Sequence, residues 1–248
     1  MLSKSTVKYI QSLQHKKFRD QEAVFVAEGP KLVKEMLEAN IFNCVEMYAT
    51  DDWISGGATK GNPTLNVAPV MVKDYELEKI SSLSKPNQVL AIFRQKKADP
   101  SPDLRNKITL MLDDIQDPGN LGTIIRTADW FGVQHIICSL QTADMYNSKV
   151  VQSTMASLGR VELLYTNLEY FLAGHANITL LAATLHGEQL PAIKIPAEVI
   201  IVIGNESKGV SEAIMHSATQ KITIPRTGEA ESLNAAVATA LILYELRR

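Results

Sequence analysis

The stretch that decides the fold is residues 199–248, which begins VIIVIGNESKG and ends NAAVATALILYELRR. Residues 199–203 form an apolar, β-branched run, and residues 204–209 form a turn bounded by glycines. A second short apolar run, residues 222–224, ends at Pro225. Short apolar runs bounded by turn formers predict buried strands.

A helix is predicted at residues 235–244, because alanine and leucine are good helix formers. Ser232 or Asn234 is suited to cap its start, and Arg247 and Arg248 lie where the helix dipole favours cations. Polar residues are therefore concentrated at strand ends and at one helix start. In an open α/β sheet, these are the places where ligands bind.

From residue 108 onwards the chain repeats a pattern of strand, loop and helix. Strands are predicted at residues 108–112, 133–139, 161–165 and 178–184, and helices at residues 123–131 and 148–158. The strands are apolar on both faces, which is typical of a parallel sheet covered by helices on both sides. The predicted fold class is therefore α/β.

The N-terminal part predicts a second, smaller α/β unit. Its predicted strands are residues 23–27, 45–49, 67–70 and 89–94, its helices are residues 7–18, 30–39 and 76–83, and its loops include residues 56–57 and 60–63. The polar run 95–103 contains Pro100 and Pro102 and has no periodicity, so it predicts a linker. We expect a small domain at residues 1–97, a linker at 98–107 and a larger domain at 108–248.

The composition is that of a globular protein, with 46% hydrophobic and 21% charged residues among 248. The N-terminus has no apolar signal-peptide core, and residues 235–244 are about half as long as a membrane span requires. Cys44 and Cys138 lack metal-ligand spacing, so neither a zinc site nor a disulfide framework is expected. We expect a soluble, cytoplasmic protein with no membrane partner.

The net charge of −2 does not by itself indicate a nucleic-acid partner. The N-terminal segment is nevertheless basic, because only Asp20 opposes a set of cations there. That set consists of Lys4, Lys8, Lys16, Lys17 and Arg19. Two interpretations stay open, a solvated helix face or a surface that contacts phosphates.

Two residues near the first strand of the larger domain stand out. Asn120 is expected in the loop after strand 108–112, before a helix start with free N–H groups. Arg126 is expected in the first turn of that helix, where a cation opposes the helix dipole. Position alone leaves two interpretations of Arg126. Either it reaches solvent or pairs with Asp129 or an acidic loop residue, or it has a functional role.

Further polar residues follow the later strands. Glu206 lies between Gly204 and Gly209, which permit close backbone approach, although a tight turn alone would explain this pattern. Ser232 and Asn234 suit the capping position of a helix, which explains one of them but not both.

Three segments together resemble the motifs of the SpoU (TrmH-type) RNA ribose methyltransferases of the SPOUT superfamily. They are residues 117–128 (DPGNLGTIIRTA), 201–209 (IVIGNESKG) and 224–225 (IP) with 231–238 (ESLNAAVA). Their order is that of the family, and the resemblance covers residues 108–248. Residues 25–29 (FVAEG) resemble part of the small substrate-binding domain of many rRNA-modifying members.

The resemblance implies a deep trefoil knot near the C-terminus, an S-adenosylmethionine pocket built from the knotted loops, and an obligate homodimer. The functional polar residues that it implies are Asn120, Arg126, Glu206, Ser232 and Asn234. The cofactor-binding residues that it implies are Ile203, Gly204, Asn205, Ile224, Pro225 and Leu233.

The implied reaction is methyl transfer from S-adenosylmethionine to a ribose 2′-hydroxyl, without a metal. The expected substrate is rRNA, tRNA is the alternative, and DNA is not an expected partner. Arg126 matches the family's proposed base, but Arg normally stays protonated, so it can instead hold a phosphate or stabilise the developing alkoxide. A second hypothesis is a non-catalytic RNA-binding ribosome-assembly factor on the same fold. A dehydrogenase is third, because residues 119–122 do not form the GxGxxG fingerprint.

Overall fold

The computed structural model describes residues 1–57, 67–190 and 196–247. They form two compact units. The N-terminal unit consists of Met1–Lys97 with Asp144–Gly159, and the C-terminal unit consists of Ala98–Ala143 with Arg160–Arg248. The predicted loop at residues 60–63 lies outside the described residues.

The elements follow in chain order. The strands are β1 Val24–Glu28, β2 Cys44–Ala49, β3 Val70–Met71, β4 Val89–Arg94, β5 Ile108–Asp113, β6 His135–Cys138, β7 Glu162–Tyr165, β8 Thr179–Gln189, β9 Val199–Gly204 and β10 Gln220–Thr223. The helices are α1 Lys4–Ser12, α2 Lys16–Glu22, α3 Pro30–Ala39, α4 Asp51–Ser55, α5 Asp74–Ile80, α6 Pro118–Trp130, α7 Ser148–Thr154, α8 Leu168–Ala173, α9 Glu212–Ser217 and α10 Ala235–Arg247. Helices α4, α8 and α9 have five or six residues each, too few to show the period that predicts a helix.

The N-terminal unit contains a four-stranded sheet in the order β1-β4-β2-β3. β4 pairs antiparallel with β1 and β2, whereas β2 and β3 are parallel. The strand predicted at residues 67–70 is reduced to the two residues of β3 at the sheet edge. Pro69 directly before it has no N–H to donate to a neighbouring strand, which explains the shortening.

The single helix predicted at residues 7–18 is wrong, because the chain forms two helices there, α1 and α2. The Arg19 guanidinium explains the break. Its Nη1 donates to the carbonyl oxygens of Leu13 and Gln14 at 2.9 and 2.8 Å. These are carbonyls that the end of α1 leaves without a helical partner, and the guanidinium satisfies them.

Residues 144–159 pack in the N-terminal unit although they follow β6 in the chain. The Asp144 carboxylate lies 2.5 Å from Arg19 Nη2, and the Tyr146 ring stacks on Phe25 with 4.7 Å between centroids. The expectation that Arg19 contacts phosphates is therefore wrong, because Arg19 is only 3% exposed and belongs to a buried ion pair. The domain division at residues 98–107 stays a prediction.

The C-terminal unit contains a six-stranded sheet in the order β10-β8-β9-β5-β6-β7. Every pair is parallel, which confirms the predicted parallel sheet. The central strands β5 and β9 are apolar and buried along nearly their whole length, so both faces of the sheet are covered. The trefoil knot stays a prediction, because strand order does not fix how a chain threads.

The described helices all lack the length or the apolar character that crossing a bilayer needs. Both cysteines are free and buried, Cys44 in β2 and Cys138 in β6. Burial raises the pKa of the Cys44 thiol to about 11, so this thiol stays protonated at neutral pH.

Arg19→Ala should lower the free energy of unfolding of the N-terminal unit by about 3 kcal/mol, because it leaves the Asp144 carboxylate without its cation. Urea unfolding followed by the fluorescence of the buried Trp53 measures the change. Lys17→Ala is the matched control, because Lys17 is exposed on the same helix, and it should change stability by less than about 0.5 kcal/mol. Equal stability of the two variants would contradict a structural role for Arg19.

Candidate functional site

Three segments leave the large sheet at its carboxyl edge, because parallel strands all end on the same side. They follow β5, β9 and β10 and lead into α6, a turn at residues 205–209, and α10. The polar residues selected from the sequence lie on these segments or within the helices that they begin.

Asn120 lies in the first turn of α6, so the expectation that it sits in a loop is wrong. The helix begins at Pro118 rather than at residue 123, because proline suits the first helical position and Asp117 caps it. Asp117 Oδ1 accepts a hydrogen bond of 2.7 Å from the Asn120 N–H. The sequence Asp-Pro-Gly is equally typical of a turn, which explains the misplaced helix start.

The Asn120 side chain joins the three segments. Its Nδ2 donates to Glu206 Oε1 at 2.6 Å, and its Oδ1 accepts from Asn234 Nδ2 at 2.8 Å. An amide nitrogen can only donate and an amide oxygen can only accept, so the two contacts together fix the orientation of this amide. We refer to Asn120, Glu206 and Asn234 as the Asn120 cluster.

Asn234 also caps α10. Its Oδ1 accepts hydrogen bonds from the N–H groups of Ala236 and Val237 at 2.9 and 3.3 Å. Ser232, the other expected capping residue, is exposed, and its side chain has no hydrogen bond among the described residues. The two polar residues therefore differ in role, since Asn234 supports the fold and Ser232 points its hydroxyl at no described group.

Backbone contacts hold the turn that carries Glu206. Asn205 and Gly209 exchange backbone hydrogen bonds of 3.0 and 2.8 Å, and Asn205 Oδ1 accepts from the N–H of Ser207 at 3.0 Å. A Cβ at Gly204 would lie 2.2 Å from the Gly209 carbonyl carbon, so the close approach requires glycine there. Glu206 is thus presented from a tightly constrained turn.

Arg126 is in the middle of the 13-residue helix α6, so the expectation that it opposes the helix dipole in the first turn is wrong. The suggested pairing with Asp129 is also wrong, because Asp129 forms an ion pair with Arg160 at 2.7 Å. Arg126 is exposed and makes no hydrogen bond or ion pair within the described part of the chain. The structure therefore leaves its guanidinium available.

The position of Arg126 on α6 separates it from the Asn120 cluster. Six helical residues correspond to about 9 Å of rise and about 240° of rotation, so Arg126 leaves α6 on a different side from Asn120. It instead shares a face with Trp130, four residues later, which is 85% exposed. Within one chain, Arg126 and the cluster are not brought together by a described hydrogen bond.

The residues expected to bind a cofactor lie where the same segments begin or end. Ile203, Gly204 and Asn205 end β9 and start its turn, Ile224 and Pro225 follow β10 directly, and Leu233 precedes α10. Leu233 is 47% exposed although it is apolar. This set offers apolar side chains and backbone polar groups without a charged side chain, which suits a nucleoside-like ligand.

Two acidic residues support the site without having been predicted. The Asp114 carbonyl oxygen accepts from Asn205 Nδ2 at 2.9 Å, and Asp113 Oδ2 accepts from the Ser211 N–H at 2.7 Å. Asp114 also has a φ of 63°, which is uncommon outside glycine. Their signal in the sequence is their position at the carboxyl end of the buried strand β5, where ligand sites of such sheets begin.

Comparison with known proteins identifies related chains. The family model described as SpoU rRNA Methylase family matches residues 107–244, and the MRM3-like substrate binding domain matches residues 4–91. The chain is 29% identical over 245 residues to the 23S rRNA (guanosine(2553)-2′-O)-methyltransferase of Bacillus subtilis, which covers 97% of this chain and 95% of that relative.

Two solved structures have the same architecture. One is a protein from Porphyromonas gingivalis assigned to the TrmH family of RNA methyltransferases, with 36% identity, a TM-score of 0.87 and coverage of 99% and 98% of the two chains. The other is an rRNA methyltransferase from Sinorhizobium meliloti with bound S-adenosylmethionine, with 30% identity, a TM-score of 0.86 and coverage of 100% and 96%. They confirm the expected α/β fold with its N-terminal substrate-binding domain.

Asn234→Ala should accelerate amide hydrogen exchange of Ala236 and Val237 by about fivefold, because it removes the oxygen that caps α10. Asn234→Asp keeps a capping oxygen and should exchange at nearly the wild-type rate, although it no longer donates to Asn120. Ser232→Ala is the control and should change nothing. Faster exchange in Ser232→Ala than in Asn234→Ala would show that the cap is assigned to the wrong residue.

Proposed function

The chain belongs to the SpoU rRNA methylase family and is an S-adenosylmethionine-dependent RNA 2′-O-methyltransferase, and we propose that its substrate is large-subunit ribosomal RNA. Two findings favour rRNA over tRNA. The N-terminal match is to a substrate-binding domain, and the Bacillus subtilis relative that extends over both domains is named for a 23S rRNA nucleotide. Among the features of the site, the Asn120 cluster supports this activity most directly, because it fixes polar side chains from three segments at the carboxyl edge of the sheet.

The residues proposed to hold the cofactor are Ile203, Gly204, Asn205, Ile224, Pro225 and Leu233. Apolar contact with an adenosine explains why Leu233 is 47% exposed, and the tight turn after Gly204 brings backbone groups close together. S-adenosylmethionine supplies a methyl group that is already activated by a sulfonium sulfur. Every other requirement of the reaction falls on the protein and the RNA.

The protein's proposed task is to position the ribose while its 2′-oxygen takes the methyl group from the sulfonium sulfur, which leaves as the neutral thioether of S-adenosylhomocysteine, and to favour loss of the 2′-hydroxyl proton to water. Asn120 and Asn234 have their amides fixed by the cluster, and fixed hydrogen-bonding groups lower the cost of orienting a substrate. Ser232 lies two residues before Asn234, its exposed hydroxyl has no hydrogen bond among the described residues, and it is proposed to contact the ribose or its phosphate. Glu206 is proposed to hold Asn120 in place through its carboxylate.

Arg126 is proposed to bind the phosphate or to stabilise the alkoxide that forms on the ribose oxygen. A guanidinium carries its charge at all ordinary pH values and donates in a planar fork, so it suits both tasks better than that of a base. The side chains of Arg126 and Asn120 leave α6 on different sides. We therefore propose that Arg126 acts at the Asn120 cluster of a second chain.

The proposed homodimer packs through α6 and α10. Val237, Leu241 and Tyr244 are exposed by 43–59% on one face of α10, and Trp130 on α6 is 85% exposed. These two helices pack against each other in the C-terminal unit. An exposed apolar surface of this kind marks a protein interface, and a second copy would cover it while placing Arg126 at the contact.

The N-terminal unit is proposed to bind the rRNA. Lys4, Lys8 and Lys17 are exposed and have no ion pair among the described residues, so they can contact phosphates. Lys16 is partly engaged by Asp20 at 2.6 Å. A cytoplasmic location belongs to the same proposal, because the two free thiols suit a reducing compartment.

Incubation with S-adenosylmethionine labelled in its methyl group should label rRNA from a strain that lacks this protein. Ribose-methylation mapping should then find one new 2′-O-methyl group in the large-subunit rRNA and none in rRNA from the parent strain. Total tRNA from the same deletion strain is the alternative substrate. Labelling of tRNA with no labelling of rRNA would contradict the proposed substrate.

Arg126→Ala should keep the affinity for S-adenosylmethionine and lower the single-turnover rate of methyl transfer by about a hundredfold or more, as loss of an oxyanion-stabilising donor does. Isothermal calorimetry and quenched-flow labelling measure the two quantities. Arg160→Ala removes another arginine, one already paired with Asp129, and should keep the rate within about threefold. A rate within threefold of wild type for Arg126→Ala would exclude a role in the reaction.

A mixture of two inactive variants shows which chain's cluster Arg126 serves. If the arginine acts across the dimer, a heterodimer of Arg126→Ala with Asn120→Ala has one site with both changes and one with neither. Random subunit exchange at equal concentrations should then recover about a quarter of the wild-type rate. If both residues act in the same chain, every site keeps one defect and no activity returns.

A further inference from the structure

The N-terminal unit contains a cavity of about 530 Å³ between α1 and the β2–β3 edge of its sheet. This volume lies in the range of small-molecule sites. Its walls come from Ser5, Thr6 and Tyr9 on α1, from residues 45–48 of β2, and from Val67, Ala68 and Val70. None of these residues belongs to the Asn120 cluster or to the proposed cofactor site, so neither of those sites accounts for the cavity.

A carboxylate and two phenols give this cavity its polar character. The Tyr48 hydroxyl donates to Glu46 Oε2 at 2.5 Å, which holds the carboxylate in one orientation. Glu46 Oε1 has no hydrogen bond among the described residues, and no described cation pairs with Glu46. Burial and then the charge of Glu46 raise the pKa of the Tyr9 phenol, so this phenol stays a protonated donor at neutral pH.

The charge of the cavity decides which part of an RNA it can accept. A carboxylate repels phosphate and accepts hydrogen bonds only, so it requires a ligand that presents N–H donors. Guanine offers two adjacent donors, N1–H and the N2 amino group, on its Watson–Crick edge. Adenine and cytosine offer an amino group beside an acceptor, and uracil offers one imino group between two acceptors. Guanine is thus the base that fits a carboxylate by two parallel hydrogen bonds.

Aromatic and apolar surface completes the fit to a base. Tyr9 is half-buried, Val70 is 50% exposed, and both line the cavity. Unstacked RNA bases bind proteins by stacking on aromatic rings while their Watson–Crick edges make hydrogen bonds. The cavity presents both kinds of contact within one wall of the unit, since Tyr9 and Glu46 lie close enough for the Glu46 charge to act on the phenol.

We propose that this cavity binds an unstacked guanine of the RNA substrate, with Glu46 accepting from its Watson–Crick edge and Tyr9 stacking on its ring. The proposal rests on the proposed function, in which the N-terminal unit binds rRNA. In this proposal Glu46 determines which base is preferred, and Tyr9 contributes affinity for any base by stacking. The guanine recognised here is a second contact, separate from the ribose that is methylated.

Fluorescence anisotropy of the full-length protein with short labelled RNAs tests the assignment. The probes are a seven-nucleotide uridine strand and three strands with a central guanosine, adenosine or cytidine. The guanosine strand should bind about tenfold tighter than the all-uridine strand, the difference expected for one bidentate contact to a base. Glu46→Gln should reduce this preference to less than about twofold, because it replaces one acceptor oxygen by a donor.

Two further variants separate base choice from general damage. Tyr9→Ala should weaken the binding of all four strands by a similar factor, because stacking is sequence-tolerant. Glu38→Gln removes a carboxylate on α3 that pairs with Lys34 outside the cavity and should leave the guanosine preference unchanged. Equal binding of the guanosine and uridine strands to wild type, or a preference retained in Glu46→Gln, would overturn the assignment.

The other ligand chemistry that fits a carboxylate is a cationic protein side chain. N-acetyl-argininamide is the probe for it, with amide chemical shifts of the cavity residues as the readout. Shifts at these residues that vanish in Glu46→Gln, without a guanosine preference, would replace the proposal by a protein-binding site. Methyl transfer to rRNA by the same wild-type preparation distinguishes this failure from a failure of the proposed function, since labelling of rRNA does not depend on the heptamer result.

Discussion

The side-chain amide of Asn120 has one donating end and one accepting end, and each is occupied by a different segment of the C-terminal unit. Glu206 on the turn after β9 accepts at 2.6 Å, and Asn234 at the start of α10 donates at 2.8 Å. Exchanging the two ends of the amide would place a donor against a donor and an acceptor against an acceptor. Three segments far apart in the chain are thus held in one relative arrangement by the chemistry of a single amide.

Each residue of the Asn120 cluster is itself held by the structure next to it in the chain. Asp117 caps α6 and accepts from the Asn120 N–H. Asn234 caps α10 with its Oδ1, which leaves its Nδ2 to donate to Asn120. The turn that carries Glu206 follows the buried strand β9, and the close approach of Gly209 requires glycine at position 204, the last residue of β9. The sheet therefore fixes the backbone positions of the polar residues, and the helix caps fix the orientations of their side chains.

The sequence predicted the sheet better than the helix starts, for a physical reason. Strands such as β5 and β9 are buried on both faces, and their largely apolar runs of six residues are too short for a typical helix. Asp117-Pro118-Gly119 is compatible both with a turn and with a capped helix, so the local signal could not choose between them. In the structure Asp117 caps the helix, and Asn120 in its first turn also contacts Glu206, which no local pattern contains. The prediction that Arg19 contacts phosphates was wrong for the same reason, because its partner Asp144 is 125 residues away in the chain.

A double-mutant cycle on Asn120 and Glu206 tests most directly whether the cluster acts as one unit. The quantity to measure is the single-turnover rate of methyl transfer for Asn120→Ala, Glu206→Ala and the double variant, at saturating S-adenosylmethionine. If Glu206 acts by holding Asn120, the double variant should be about as slow as Asn120→Ala alone, as expected for groups that act together. If the two losses multiply, the residues contribute independently, and the hydrogen bond between them is not what organises the site.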